Sequence, residues 1–460
     1  MQVPSTPALA HPSEVVARHA ARATPRYTSY PTAPHFQADF PEATYRGWLA
    51  ASDPGAPVSL YLHVPYCARM CWYCGCNMKL AARYDPIAAY VETLLREIDL
   101  VAAALPARMT VGHLHWGGGT PTALRPDDLA RVMARLGKRF AIASDAELAI
   151  ESDPRTLADD MIATIGRLGF TRASFGVQEF DPAVQAAINR IQPPEMVARA
   201  VDGLRAAGVG GVNFDLIYGL PHQTGRMLEA TVATSADLGA DRIAIFGYAH
   251  VPWVAPNQRM IPTDALPGPA ERAEQAAIAA AALERAGYVP IGIDHYARPH
   301  DPLAVAARSG RLRRNFQGYT TDTAETLIGL GATAIGRTPD GYVQNIAETG
   351  AWSRAVAAGH LPVARGRAFA GDDRMRGHVI ERLMCDGRVD CGEAARRFGA
   401  PADWAADALA AIAPLAAEGA VSLQDGHVAL APWARPLARV AAAAFDRYLA
   451  EGRGRHAASV

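Results

Sequence analysis

From residue 59 the chain alternates short runs rich in aliphatic, β-branched and aromatic residues with longer stretches of helical period. SLYLHVP (59–65), VGHLHWGGG (111–119), ELAIESD (147–153), RASFGVQ (172–178), VNFDLIYG (212–219) and RIAIFGYAHV (242–251) predict strands. DPIAAYVETLLREIDLVAAAL (85–105), RPDDLARVMARLGKRF (125–140) and PEMVARAVDGLRAAG (194–208) predict amphipathic helices between them. Six strand–helix units in series predict an α/β fold on a parallel sheet, because each helix supplies the crossover that parallel strands require. Periodicity alone leaves a doubly wound sheet and a curled, barrel-like one both open.

Five of the six predicted strands end in residues suited to chemistry: Gly117 to Thr120, Glu151, Gln178, Asp215, and Tyr248 to His250. The earliest strand leads straight into a group of cysteines. In α/β barrels active-site groups collect at the C-terminal ends of the strands, so these residues are expected around one mouth. Any one of them alone reads as loop polarity.

Beyond about residue 255 the pattern loosens into an Ala-rich helix (269–286), a strand-like YVPIGIDHYAR and the segment RRNFQGYTTDTAETLIGLGATAIG (313–336). Three parts are expected: an N-terminal arm (1–57), a catalytic domain (58–365) and a small, mainly helical C-terminal domain (366–460). In the last part RMRGHVIERLM and CGEAARRFG read as helices and AVSLQDGHVALA as a hairpin turning at Asp425-Gly426. Helix, helix and hairpin suit either a DNA-binding winged helix or a packing or lid element.

Charge decides against nucleic acid, since 45 Lys plus Arg nearly cancel 46 Asp plus Glu and leave no basic field. No run of 18 apolar residues predicts a membrane span, and the first 30 residues lack the apolar core of a secretory signal, so a cytoplasmic protein is expected. The faintly Arg-rich stretch from Val15 to Arg22 reads as part of an ordinary arm rather than as a transit peptide.

Cys67, Cys71, Cys74 and Cys76 fall within ten residues, whereas Cys385 and Cys391 stand far away as small buried or surface residues. Such clustering marks a site, not a disulfide framework. Cys67-x3-Cys71-x2-Cys74 can hold three irons of a cubane cluster and leave the fourth iron open to a ligand. Four thiolates closing around zinc are the rival reading, although structural zinc sites usually draw ligands in two separated pairs. One strand–helix unit later, Trp116-Gly117-Gly118-Gly119-Thr120-Pro121 offers backbone that a ligand can approach closely.

The stretches YLHVPYCARMCWYCGCN, HWGGGTPT, FGVQEFD, NFDLIYGLP, YAHVP, RNFQGYTT and PRYTSYPTA resemble the oxygen-independent coproporphyrinogen III oxidase family of radical S-adenosylmethionine (SAM) enzymes, from near residue 25 into the C-terminal domain. The resemblance implies a partial (β/α)6 barrel, a [4Fe-4S] cluster on Cys67, Cys71 and Cys74, and one or two SAM molecules. It implies SAM contacts at Tyr61, Tyr73 (packing on the adenine), Gly118, Gly119, Thr120, Glu151, Gln178, Arg190, Asp215, Ala249 and Ile335, with Glu151 pairing an ammonium group. Cys76 is implied to be needed for activity without being a cluster ligand. The implied reaction uses a 5′-deoxyadenosyl radical to decarboxylate the ring A and B propionates of coproporphyrinogen III, giving protoporphyrinogen IX. Candidate substrate contacts are Arg26, Tyr27, Tyr30, Arg314, Asn315 and Gln317; alternatively the arm simply seals the barrel. The electron donor and acceptor are unidentified, and the family suggests a monomer. A haem chaperone on the same fold, without this activity, is the alternative.

Overall fold

The computed structural model describes residues 11–20 and 22–451. Seven parallel strands form its centre: β1 (Val58–Val64), β2 (Thr110–Gly118), β3 (Ala141–Ser152), β4 (Arg172–Gln178), β5 (Gly211–Tyr218), β6 (Arg242–Gly247) and β7 (Thr326–Leu330). β1 to β6 lie side by side in chain order, and β7 pairs with the other side of β1. A doubly wound sheet reverses its order at a switch point. None occurs between β1 and β6, so successive right-handed crossovers all turn the same way and the sheet curls. β6 and β7 do not pair with each other, which leaves the barrel partial.

Two predicted boundaries shift for identifiable reasons. β3 begins at Ala141 rather than near 147, because residues 141 and 142 pair with Thr110 and Val111 before a bulge resets the register at His113 and Glu147. β6 ends at Gly247 rather than 251, because its last partner, Tyr218, is also the last residue of β5. Among the seven central strands, β7 is the one the sequence pattern missed.

Antiparallel strands extend both edges: Val289–Ile291 and His295–Ala297 beside β6, and β8 (Ile335–Thr338), β9 (Gly341–Asn345) and β10 (Val363–Ala368) beyond β7. Gln37–Ala38 of the arm pairs with β10.

The crossovers contain α1 (Asp85–Ala104), α2 (Pro126–Arg139), α3 (Asp159–Arg167), α4 (Pro194–Ala206) and α5 (Gly225–Asp237), and α6 (Pro269–Arg285) follows β6. α2 shows why they form. Pro126 presets the first turn, Asp127 and Asp128 face the positive end of the helix dipole, and Lys138 and Arg139 face the negative end. Its buried Leu129, Val132, Met133 and Leu136 make one apolar stripe.

Strand alternation separates core from site. Val212, Phe214 and Leu216 of β5 are fully buried with the helices, while Asn213 and Asp215 face a cavity of about 120 Å³. His113 and His115, Glu147 and Glu151, Arg172 and Ser174, and Arg242 line the same cavity from the neighbouring strands. At its lower end Arg172 and Arg242, the first residues of β4 and β6, share Asp301: Arg242 Nε donates to Oδ1 at 2.8 Å and Arg172 Nη2 to Oδ2 at 3.3 Å. This buried ion cluster closes the end of the barrel away from the cysteines.

The C-terminal region packs α7 (Asp373–Asp386), α8 (Cys391–Phe398) and α9 (Ala406–Ala417) against a three-stranded sheet of Arg388–Asp390, Val421–Gln424 and His427–Leu430. The hairpin turns at Asp425 and Gly426, with φ of 50° and 80°, as a primed turn requires. Cys385 and Cys391 are buried here. Val15, Tyr27 and Tyr30 of the arm belong to the same apolar cluster.

Candidate functional site

The cysteine loop leaves the end of β1 and is held by its backbone rather than by regular structure. Tyr66–Cys67 pairs with Lys79–Leu80, pinning the loop base. Asn257 Nδ2 lies 3.1, 3.1 and 2.8 Å from the carbonyls of Cys71, Trp72 and Cys74, Gln258 Nε2 donates to Tyr73 O at 2.8 Å, and Asn189 Nδ2 donates to Met70 O at 2.7 Å. These contacts satisfy carbonyls that an irregular loop would otherwise leave without partners.

Each of the three sulfurs faces a polar partner. Cys67 Sγ lies 3.4 Å from Thr120 Oγ1, and Cys74 Sγ accepts from Cys76 N at 3.4 Å. Cys71 Sγ accepts from Arg155 Nη2 at 3.2 Å and from Arg190 Nη1 at 3.3 Å. Two buried guanidiniums thus place their positive charge beside one sulfur. Asp153 holds both cations, accepting from Arg155 Nη2 at 2.6 Å and Arg190 Nη1 at 3.4 Å. Hydrogen bonding from Cys76 pulls the Cys74 thiol down to about 6, while burial raises Cys67 to about 11.

Gly117 to Gly119 lie against this loop because nothing larger fits. A Cβ on Gly119 would come within 2.9 Å of Tyr66 O and 3.1 Å of Cys67 Sγ, and one on Gly117 within 2.8 Å of Glu151 Oε1. Gly118 has φ of 122°, which L side chains rarely adopt. Its N–H donates to Glu151 Oε2 at 3.2 Å, and Glu151 Oε1 lies 3.1 Å from His115 Nε2. The Tyr61 ring stacks on His115 with centroids 5.9 Å apart, and Tyr61 Oη lies 3.0 Å from His63 Nδ1. Asp215 sits below; burial, then the Glu151 charge, raises its carboxyl to about 7.

The structure thus gathers Cys67, Cys71, Cys74, Cys76, Tyr61, Gly118, Gly119, Thr120, Glu151, Arg190 and Asp215 at one end of the barrel. Gln178 ends β4 with φ of 67°, its amide behind Gly176 beside Arg190. The ring of Tyr73 packs with Val184, Ile188, Leu220, Tyr248 and Ile261. Ala249 follows β6 and Ile335 opens β8 opposite Gln344; neither is among the residues lining the carboxylate cavity.

The substrate candidates divide. Asn315 and Gln317 line the cavity with Glu151 and Asp215. Arg26 lies over the Phe246 ring and Arg314 over Tyr319, and both cations help hold the part-buried Asp294, whose carboxyl is lowered to about 2 against its own desolvation, chiefly by His295. Tyr27 and Tyr30 point elsewhere, into the C-terminal cluster: Tyr27 Oη donates to Asp446 Oδ2 at 3.1 Å, and Tyr30 Oη accepts from Arg447 N at 3.2 Å.

Sequence reasoning passed over Asp153, Arg155, Asn257 and Gln258. The first two were findable, being charges just past a strand end beside Glu151. Asn257 and Gln258 carry no motif.

The donor set fits an iron–sulfur cluster. Among the described residues no three His, Cys, Asp or Glu side chains converge on a point where one ion could sit. Three spaced thiols with separate hydrogen-bond partners match ligands that each bind a different iron.

Residues 61–234 match the radical SAM superfamily model. An oxygen-independent coproporphyrinogen III oxidase from Bradyrhizobium diazoefficiens is 50% identical over 436 residues, 95% of this chain and 97% of the relative. The enzyme of that name from Escherichia coli K12 is 39% identical over 92% of this chain and 93% of its own length. The solved structure of the Escherichia coli coproporphyrinogen III oxidase, described as a radical SAM enzyme, superposes with a TM-score of 0.89 at 38% identity, covering 92% of this chain and 97% of that one. The chain belongs to the oxygen-independent coproporphyrinogen III oxidase family of radical SAM enzymes.

Proposed function

We propose that the chain oxidises coproporphyrinogen III to protoporphyrinogen IX without oxygen, removing the ring A and B propionate carboxylates as carbon dioxide in porphyrin and haem biosynthesis. The observation that carries this reading is three hydrogen-bonded thiols beside a glycine cradle at the mouth of a polar cavity, in a chain half identical to a relative of that name. When bound there, the [4Fe-4S] cluster and SAM supply a 5′-deoxyadenosyl radical, which takes an unactivated propionate hydrogen that no protein base removes as a proton.

The chain's own residues bind and orient. Cys67, Cys71 and Cys74 hold the cluster; Asp153 aims Arg155 and Arg190 at the Cys71 sulfur. Glu151, fixed by the Gly118 N–H, takes an ammonium group. Asp215, raised to about 7 by burial and then by the Glu151 charge, is partly protonated near neutrality. Tyr61, Tyr73, Gly119, Thr120, Gln178, Ala249 and Ile335 are assigned to one or two SAM molecules. Asn315 and Gln317, with Arg26 and Arg314 behind them, are assigned to the substrate's propionates; Tyr27 and Tyr30 act by packing the arm. Cys76 serves the reaction without ligating the cluster. Each decarboxylation passes one electron from the substrate to an acceptor, and an electron donor serves the cluster.

Among the described residues no helix is long and apolar enough to cross a membrane. We place the protein in the cytoplasm as a monomer. Anaerobic incubation of the reconstituted chain with SAM, dithionite and coproporphyrinogen III tests the reading: protoporphyrinogen and carbon dioxide are expected, and stable haem binding without carbon dioxide release would replace it with the chaperone.

A further inference from the structure

The cavity that Glu151 and Asp215 line has about 120 Å³, whereas small-molecule sites measure roughly 300–1,000 Å³, so it takes a substituent of a large substrate and not a macrocycle. A second cavity, of about 840 Å³, adjoins it across the edge strand His295–Ala297. His295 and Ala244 line the small cavity, and Asp294, Tyr296 and Ile245 line the large one. Tyr218 and Gly247, the last residues of β5 and β6, also border the large cavity, which places it at the same end of the barrel as the cysteine loop.

Part of its wall is apolar, made by Ala273, Ala277 and Ala280 of α6 with Phe246 and Trp433. The arm and the C-terminal region bring cations to it, Arg26 from the first and Arg439 from the second. Arg439 is 7% exposed, its Nη1 donates to Thr24 O at 3.4 Å, and Arg26, Asp294 and Arg314 are the charges that act on it. Three guanidiniums thus stand about one carboxylate, and that carboxylate already has Oδ1 2.6 Å from His295 Nδ1. Burial and then Arg26 pull Arg439 down to about 10, a repulsion that an anion between the two would relieve. Arg435 is turned to the Tyr296 hydroxyl at 3.1 Å. Glu14, Glu274 and Glu284 border the cavity as well, but they are exposed on the arm and on α6.

Coproporphyrinogen III has four propionates, of which the reaction removes two. Carbon dioxide leaves uncharged, so a cation on a reacting carboxylate stabilises the ground state more than the transition state and slows the loss. Neutral donors suit the carboxylates that leave, and Asn315 and Gln317 supply them in the small cavity, where the guanidiniums of Arg172 and Arg242 are taken by Asp301. Guanidiniums suit the carboxylates that stay. Those two, on rings C and D, flank one meso carbon and so match a pair of neighbouring cations.

We propose that the macrocycle occupies the larger cavity, that Arg439 and Arg26 pair with the propionates retained on rings C and D, and that the small cavity admits one reacting propionate at a time. The proposal rests on the decarboxylase reading and makes Arg439, from the C-terminal region, a residue that orients the substrate.

The test uses the full, reconstituted chain and mesoporphyrin IX, which keeps propionates on rings C and D and has ethyl groups in place of those on A and B. Turnover of coproporphyrinogen III by the parent checks the decarboxylase reading separately, because mesoporphyrin binding, followed by its fluorescence, needs no turnover. Arg439→Gln and Arg26→Gln are each expected to weaken mesoporphyrin binding and to raise the KM for coproporphyrinogen by about tenfold or more. Their kcat should stay within about twofold of the parent's, with iron content and SAM affinity unaltered. Arg439→Lys, which keeps the charge, should recover most of the binding. Arg26 is exposed, so its variant probes the site independently of whether Arg439→Gln folds. A raised KM with unaltered mesoporphyrin binding would assign the cations to rings A and B and overturn the proposal. So would a fall in kcat at unchanged KM, variants that match the parent in both measurements, or a parent that does not bind mesoporphyrin.

Discussion

Arg190 places Nη1 3.3 Å from Cys71 Sγ while its Nε donates to Gly176 O at 2.9 Å, so one buried guanidinium ties the end of β4 to the cysteine loop. Lysine supplies one point charge and no fork, and it cannot satisfy both partners. Arg190→Lys is therefore expected to fold but to hold several-fold less iron after reconstitution, measured as iron per chain. Asp153→Ala should be worse. It leaves Arg155 and Arg190 facing each other without their counter-charge, a loss of about 3–5 kcal/mol for a broken buried pair. Thermal melting of the apo chain should register that loss; an unchanged melt would show that the two cations do not depend on Asp153.

Gly119→Ala tests the cradle. The added methyl would lie 2.9 Å from Tyr66 O and 3.1 Å from Cys67 Sγ, atoms fixed by the pairing of Tyr66–Cys67 with Lys79–Leu80. The loop must shift, so cluster retention and SAM affinity should both fall by about tenfold while the helix content measured by circular dichroism is unchanged. Gly47, with no atom near its absent Cβ, is the control: Gly47→Ala should leave both quantities unaltered.

These two sites also show what a sequence pattern can and cannot carry. β1 to β6 were legible because each reads as a compact apolar run or a short-range alternation, and α2 because Pro126 and its flanking charges mark both ends. β7 was not. Its five residues, TLIGL, include a glycine, and their partner β1 lies more than 250 positions earlier, so only tertiary pairing makes them a strand. The cysteines and glycines declared themselves by spacing. Asn257 stayed silent because what it binds is backbone carbonyl, which every residue has. The opposite placements of Arg26 and Tyr27 were equally hidden: Tyr27 has φ of 46°, and that turn separates neighbours in sequence into different surroundings.

Asp215 gives a pH signature. Its carboxyl titrates near 7 in the fold, raised by burial and then by Glu151, against about 3.9 in the unfolded chain. Between those values the folded state binds the extra proton. Stability therefore falls as pH rises from about 4 to 7 and is flat above. The part due to Asp215 is on the order of 2–4 kcal/mol, reduced by whatever water reaches it. Asp215→Asn removes this titration, so its melting temperature should fall less over that interval than the parent's. Parallel melting curves would mean that Asp215 is ionised in the fold throughout.

The arm separates packing from contact with substrate. Tyr27 and Tyr30 are 4% exposed within the C-terminal cluster, and Asp446, the acceptor of the Tyr27 hydroxyl, is 8% exposed. Tyr27→Phe removes the donor to Asp446 Oδ2 and leaves the buried carboxyl only the Tyr448 N–H on Oδ1, at a cost of about 1–3 kcal/mol. Tyr27→Ala also opens a cavity and should cost about 3–5 kcal/mol. If the arm acts by packing, the Phe variant melts earlier but decarboxylates at the parent's rate below its melting temperature. A phenol that touches the porphyrinogen predicts the reverse: a raised KM for coproporphyrinogen with no change in melting. Deleting residues 1–35 removes Val15, Tyr27 and Tyr30 together and uncovers the C-terminal cluster, but it leaves every residue around Cys67, Cys71 and Cys74 in place. Iron content and SAM binding should therefore survive the deletion while decarboxylation is lost; undiminished turnover would deny the arm any part in the reaction.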